Sequence, residues 1–402
     1  MADEKPTLLI AKGIISRMGG AERDLLRRLP HLTTWFNVSV ATLASCDELE
    51  LVCNEYKIHL YKPDNSWSPP NSALSQIFDG VHQSSKRAWQ ACKNLMAELK
   101  KFDYFHIISG DGYLAMLELI PTNKPAHLYL LEPHRGLHEQ SLHKNLNGKL
   151  KRPKILTNLL LSKARKNDLN IVTQFASRPN TIISGNSSYT ANRIKQVYAI
   201  DCSYLHPCVD ETEYSAHIVG VENPYTNSIA MQYVVTIGTA NWAKGSMEVV
   251  SMLSGTGLSL AHVGGGQAKE LETLKLHAKN HGVRVWVAPK LSSTQLSTLI
   301  KQSLAVVSMA HKEPFGLTPI EAFSIGTPAI FVADGGFVDS IVDGESGRLI
   351  PRSSITEWHN ALNQAKTEKT RQIWAKNGRQ RIAELKLTPL EQAEKLYKLL
   401  VP

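Results

Sequence analysis

The stretch 311–330 reads HKEPFGLTPIEAFSIGTPAI and sets two glutamates, Glu313 and Glu321, eight positions apart around a Pro-Phe-Gly-Leu-Thr-Pro bridge. The residues before it, LAVVSM (304–309), form a short apolar run that reads as a buried strand. AHKEPFG is then the loop that leaves the strand's carboxyl end. Thr318 is placed to cap a helix, and Pro319 stands where a first helical residue should, so a helix is expected through Ile320, Glu321, Ala322 and Phe323. Glu313 thus projects from the loop, and Glu321 from the helix's first turn or just past it. The loop N–H groups and the helix N-terminus together favour an anionic group.

Carboxylates beside such a place do not bind phosphate themselves. They accept hydrogen bonds from the hydroxyls of a ligand whose phosphates occupy the helix end. Phosphates in the middle with a polyhydroxyl ring on either side describe a nucleotide-sugar. Taken singly, Glu321 could equally be a helix-dipole contact and Glu313 a solvated loop acid.

Working outward, apolar runs recur, each followed by polar or helical sequence. TLLIA (7–11), VSVATL (38–43), HIIS (106–109), HLYLL (127–131) and TIIS (181–184) lie in the first half. VVTIG (234–238), LSLAHVG (258–264), VRVWVA (283–288), LAVVSM (304–309) and PAIFVA (328–333) lie in the second. Nearly continuous apolar strands suit a parallel sheet covered on both faces, and helix-length spacers indicate βαβ units. The Pro-, Asn- and Ser-bearing stretch 206–228 separates the two series, with the join placed near 207–228. The expected fold is therefore α/β, with two doubly wound Rossmann-like domains, 1–210 and 220–387. A closing helix at about 388–402 is expected to pack back on the first. Ligands of such sheets bind at the carboxyl ends of the strands.

The chain has 402 residues, 43% apolar and 20% charged, the make-up of an ordinary globular protein. No apolar run approaches the ~18 residues of a membrane helix. Acids precede the short apolar run of MADEKPTLLIA, so no signal peptide is expected. Cys46, Cys53, Cys92, Cys202 and Cys208 are scattered and form no close metal-type pair, which points to a reduced, cytoplasmic setting. A net charge of +9 favours acidic partners. Eight Lys or Arg and no acid fall between Lys144 and Lys166, interleaved with Leu146, Leu150, Ile155, Leu156, Leu159, Leu160 and Leu161. Two readings share this pattern: a helix lying on an anionic membrane surface, or a solvated helix whose leucines face the core. No aromatic-interleaved basic stripe supports nucleic-acid binding.

The string EPFGLTPIEAFSIGTPAIFVADGGFVDSIVDGESGRLI closely resembles the signature of the retaining glycosyltransferases usually called family 4, whose hallmark is a Glu, seven residues, then a Glu. MGGAERDLLRRL (18–29), IISGNSSYTANRIKQVY (182–198) and TIGTANWAKGSMEVV (236–250) are similar to other parts of that family. The resemblance implies the GT-B architecture, with an active site in the cleft between two Rossmann-like domains. It implies that Glu313 hydrogen-bonds the donor sugar and that Glu321 holds the ribose. The backbone of Phe315, Gly316 and Leu317, with Thr318, would approach sugar and diphosphate, and Lys244 would neutralise the leaving diphosphate. Gly19, Gly20, Thr239 and Gly265 would border the donor, and Pro289 and Lys290 the nucleobase; read alone, the Gly19-Gly20 pair is a simple turn and the run Gly264, Gly265 and Gly266 a flexible one.

Two departures stand out. Thr239 occupies a position where the family usually has arginine, leaving Arg193, Arg135 or Arg17 to compensate. In YLLEPHRGLHE (129–139), Leu131 stands where a histidine approaches the donor, and Glu132 and His134 become the candidates to line the cleft. The expectation is a retaining, metal-independent hexosyltransferase. Its donor would be a nucleoside diphosphate sugar and its acceptor a glycan or lipid-linked hydroxyl. Surface polysaccharide assembly, in the cytoplasm or on the inner face of a membrane, would be its setting. A catalytically inactive sugar-binding or partner subunit is the alternative, which Thr239 and Leu131 favour.

Overall fold

A computed structural model describes residues 5–16, 18–215, 220–225 and 232–401. Arg17 and parts of the expected join, 216–219 and 226–231, lie outside the described residues. The chain forms two compact units. The first takes Met1–Glu139, Arg152–Cys208 and Pro389–Pro402, and the second takes Gln140–Lys151 and Val209–Thr388. The sequence reading placed 140–151 in the first domain. Leu146 is instead buried in the second unit's core, and Lys144 sits 3.8 Å from the centre of the Trp242 ring.

Each unit is built on one wholly parallel sheet. In the first, β1 (Thr7–Ala11), β2 (Asn37–Ala41), β3 (His59–Tyr61), β4 (Tyr104–Ile108), β5 (Ala126–Tyr129), β6 (Thr181–Gly185) and β7 (Ser203–Tyr204) lie in the order β3-β2-β1-β4-β5-β6-β7. Alternate residues of β1 serve two separate cores. Leu9 and Ala11 pack with Trp89, Phe105 and Met116, while Leu8 and Ile10 pack with Leu25, Leu29, Leu396 and Leu400. That two-sided burial is why the strand is apolar at every position. The helix Pro389–Leu400 closes the second of these cores with Ala393, Leu396 and Leu400, at roughly 1.5–3 kcal/mol for each fully buried leucine.

The second sheet holds β8 (Tyr233–Ile237), β9 (Ser259–Val263), β10 (Val285–Val287), β11 (Val306–Ser308), β12 (Ala329–Val332) and β13 (Gly347–Ile350), in the order β10-β9-β8-β11-β12-β13. All ten strands expected from the sequence are present. The three that were not expected, β3, β7 and β13, are edge strands.

In both sheets the order reverses beside the first strand, between β1 and β4 and between β8 and β11. Adjacent connections there run to opposite faces of the sheet. Their loops diverge and leave room for a ligand at the carboxyl ends of the strands.

Candidate functional site

The loops leaving β8 and β11 bring Lys244 and Glu313 together. Lys244 Nζ donates to both oxygens of Glu313, at 2.9 and 2.8 Å. The lysine side chain is 34% exposed and the glutamate 18%. Cation and carboxylate therefore meet at the rim of the switch point rather than within the core.

Local sequence explains how Lys244 gets there. The Asn241 side chain accepts a hydrogen bond from Lys244 N at 2.9 Å and caps a short 3-10 turn, Trp242–Lys244. Gly245 then turns the chain at φ +65°, and any Cβ there would lie 2.0 Å from the Met309 carbonyl oxygen. Only glycine lets the following helix, Ser246–Leu253, press so closely on the end of β11.

The Glu313 loop is clamped from the other side. Gly336 N donates to the Glu313 carbonyl at 2.7 Å. A Cβ on Gly335 would fall 2.5 Å from that same oxygen, and one on Gly316 would fall 2.3 Å from the Phe337 ring. The paired glycines after β12 and the glycine of EPFG thus interlock, and Phe315 is buried as part of the core. The helix begins at Leu317 with Gly316 as its N-cap, earlier than the sequence suggested. Thr318 is therefore not the cap, and Pro319 sits at the third helical position. That placement is tolerated because the first four helical N–H groups have no intrahelical acceptor.

Glu321 is 5% exposed, and its carboxylate accepts a hydrogen bond from the Tyr214 hydroxyl at 3.0 Å. The sequence reading assigned Glu321 to a ligand hydroxyl, and the Tyr214 hydroxyl is one partner of its carboxylate within the protein. Nothing in the linker sequence around Tyr214 signals this.

Arg352 was also missed. Its guanidinium donates to the carbonyls of Met309 (2.6 Å) and Ala310 (3.1 Å) and pairs with Glu248 and Asp334 at 3.1 Å each. Glu248 in turn bonds His311 at 2.7 Å, and the His311 ring stacks on Trp242 at 3.7 Å. This network fixes the exit of β11 just before Glu313. An Arg following a Pro at a strand end carries no recognisable signal of such a role.

The other expected residues are dispersed. Thr239 is exposed at the exit of β8. Gly265, after β9, accepts a backbone hydrogen bond from Ala240 at 2.8 Å. Pro289 and Lys290 are exposed beyond the edge strand β10.

In the first unit, Gly19 caps the helix Gly20–Leu32 and donates its N–H to Glu22 at 3.1 Å. Glu132 lies 3.5 Å from Arg135, and His134 is exposed at the start of the short helix Arg135–His138. Arg135 and Arg193 both approach Glu139, at 3.7 and 3.1 Å. As candidates to replace the arginine that Thr239 displaces, they are already engaged by an acid. Among the described residues, no group of three or more His, Cys, Asp or Glu could hold a metal ion.

Residues 231–381 match the family model described as glycosyl transferases group 1. Over 80 residues the chain is 34% identical to the D-inositol 3-phosphate glycosyltransferases of Mycobacterium bovis (strain BCG / Pasteur 1173P2) and Mycobacterium tuberculosis (strain ATCC 25177 / H37Ra). That alignment takes in 20% of this chain and 17% of theirs, so the chain spans under a fifth of the length of the curated relatives it matches.

Similarity of fold extends much further. The crystal structure of HepE from Anabaena in complex with UDP is 15% identical, covers 98% of both chains and has a TM-score of 0.67. That of WaaG, a glycosyltransferase involved in lipopolysaccharide biosynthesis, is 16% identical with a TM-score of 0.65, covering 98% of this chain and 99% of that one. The fold is the α/β GT-B fold, with two Rossmann-like units.

Proposed function

We propose that the chain is a retaining glycosyltransferase. It would move a hexose from a nucleoside diphosphate sugar to a hydroxyl of a glycan or lipid-linked acceptor, in surface polysaccharide or glycoconjugate assembly. The observation that carries this reading is the Lys244–Glu313 pair at the second sheet's switch point, inside the stretch that matches the group 1 model. Glu313 is assigned to the hydroxyls of the donor sugar. Lys244 is assigned to the diphosphate, whose negative charge grows as the bond from the anomeric carbon breaks. A fixed cation at that point is worth roughly 2.7–4 kcal/mol of barrier.

In the proposed reaction the acceptor oxygen attacks on the face the diphosphate leaves. The bonding pair departs with the phosphate oxygen, and that oxygen takes the acceptor's proton. No protein base is required, and with Lys244 and the helix N-terminus at Gly316–Leu317 no metal is called for. Glu321, partnered by Tyr214, is assigned to the ribose, and the backbone at Pro289–Lys290 to the base. Glu132 and His134 are assigned to the donor sugar. The proposed place of work is the cytoplasm, at the inner face of a membrane.

A thermal-shift screen against UDP, GDP, ADP, CDP and dTDP, followed by turnover of the matching sugar nucleotides, tests the reading. A stabilising diphosphate with turnover that Glu313→Gln abolishes is the expected result. No shift with any of the five would refute it. A shift without turnover would favour the inactive sugar-binding subunit, for which Thr239 and Leu131 speak.

A further inference from the structure

The basic segment beyond Lys151 does not fold its apolar residues inward. The helix Lys154–Ala176 buries Asp168, Ile171, Val172 and Phe175 against the first unit. Ile155, Leu156 and Leu159 are 76, 45 and 68% exposed. At about 100° per residue, Ile155, Leu156, Leu159, Lys163 and Lys166 fall within roughly 100° of arc, opposite the core-facing residues. Of the leucines whose core-facing placement was one reading, Leu146 is buried in the second unit and Leu160 and Leu161 are half-buried, while Leu156 and Leu159 are exposed.

The helix Ala73–Phe78 packs alongside and adds Phe78, 56% exposed, with Lys163 Nζ 5.8 Å from the centre of its ring. Arg152 and Lys154 at the helix start are exposed too, and no acid occurs between Arg152 and Lys166.

We infer that this face docks on an anionic lipid surface. Isolated exposed leucines are ordinary, but a contiguous stripe of Ile, Leu, Leu and Phe interleaved with lysines is not. Apolar side chains enter the boundary between headgroups and acyl chains, while the long lysine stems reach back to lipid phosphates. A protein partner would be expected to match the cations with carboxylates at fixed points. The cations here are long, exposed and spread along the helix, which suits a fluid anionic surface. Each such cation strengthens binding roughly fivefold at low salt. The inference rests on the transfer reading only for why the chain should sit at a membrane, since docking itself needs no donor.

Sedimentation with phosphatidylcholine vesicles, with and without phosphatidylglycerol, tests it. The full chain should pellet with the anionic vesicles, and added salt should release it. The double variant Ile155→Glu/Leu159→Glu should lose binding at least tenfold with an unchanged melting temperature, because both side chains are solvent-exposed. Lys163→Glu should lose several-fold. Lys244→Ala should pellet as the parent does, which separates docking from transfer. Equal pelleting with neutral and anionic vesicles would overturn the inference. So would a parent chain that runs as a dimer in solution and becomes monomeric with the double variant, because the face would then belong to a second copy.

Discussion

The two switch points use the same two residue types to opposite ends. At β1/β4, Lys12 directly follows the first strand, is 5% exposed, and gives its ammonium to Glu22 (3.2 Å) and to the Ser109 carbonyl (3.3 Å). Ser109 also anchors the 131–139 segment through Leu131 N at 3.0 Å. A Cβ on Gly13 would meet the Asp111 carbonyl oxygen at 1.8 Å, so the loops leaving β1 and β4 close on each other.

At β8/β11 the lysine comes seven residues after the strand, on a capped turn, and meets its glutamate where solvent still reaches both. The two glutamates are equally exposed, 17% for Glu22 and 18% for Glu313, so the contrast lies in the lysines: Lys12 is buried at 6% and held as a structural tie, while Lys244, at 34%, stays open to solvent. The fold supplies a switch point in each sheet, and the length and glycine content of the exit loops decide which lysine stays exposed.

Changes to the exposed pair should have the largest effect. Glu313→Gln and Lys244→Ala should each lower turnover about 10²–10³-fold, read as kcat with sugar nucleotide, while the melting temperature stays within a degree or so. Lys12→Met should do the reverse. It leaves Glu22 without its cation, and denaturant unfolding should register a loss of about 1–3 kcal/mol. If Lys12→Met were silent in stability, or Lys244→Ala melted the protein, the contrast between the two crevices would be broken.

The first unit also carries a buried histidine pair, His106 and His127, whose Nδ1 atoms lie 2.9 Å apart, with Ser184 Oγ 2.6 Å from His127 Nε2. Desolvation first, then the Arg28 charge, brings the His127 pKa down to about 3. Desolvation and the neighbouring His127 likewise lower His106. Unfolded histidine binds a proton below about pH 6.5 while these two stay neutral. Stability is thus full above that pH and falls on acidification toward pH 3, by up to about 1.4 kcal/mol per pH unit for each group. Urea unfolding between pH 7 and pH 4.5 measures the slope, which His127→Gln should reduce.

The smallest expected change sharpens the second crevice. Thr239→Arg, at an exposed position, should lower KM for the donor by up to about fivefold without moving kcat, as a rim charge does.

What the sequence disclosed follows the physics of burial. Inner strands such as VVTIG and PAIFVA must be apolar on both faces, so they announce themselves. SY (203–204) and GRLI (347–350) lie at edges, carry mixed polarity and gave no signal. The strings around Glu313 and Lys244 are long enough to set both residues in loops leaving inner strands, and there the structure pairs them. Tyr214 and Arg352 were not legible, because each acts through a contact 107 or 42–43 positions away, and no local pattern encodes such a distance. The exposed Ile155 and Leu159 show the same limit in reverse. Apolar spacing marks a face of the helix without saying whether that face looks inward.

The path of the chain has a practical corollary. One unit is assembled from three stretches and the other from two, with Gln140–Lys151 lent out and Pro389–Leu400 called back. A gene cut once in the 209–225 linker would not yield two half-proteins. The front fragment would show water the greasy wall that Leu396 and Leu400 normally seal, and the rear fragment would lack the Leu146 plug in its own interior.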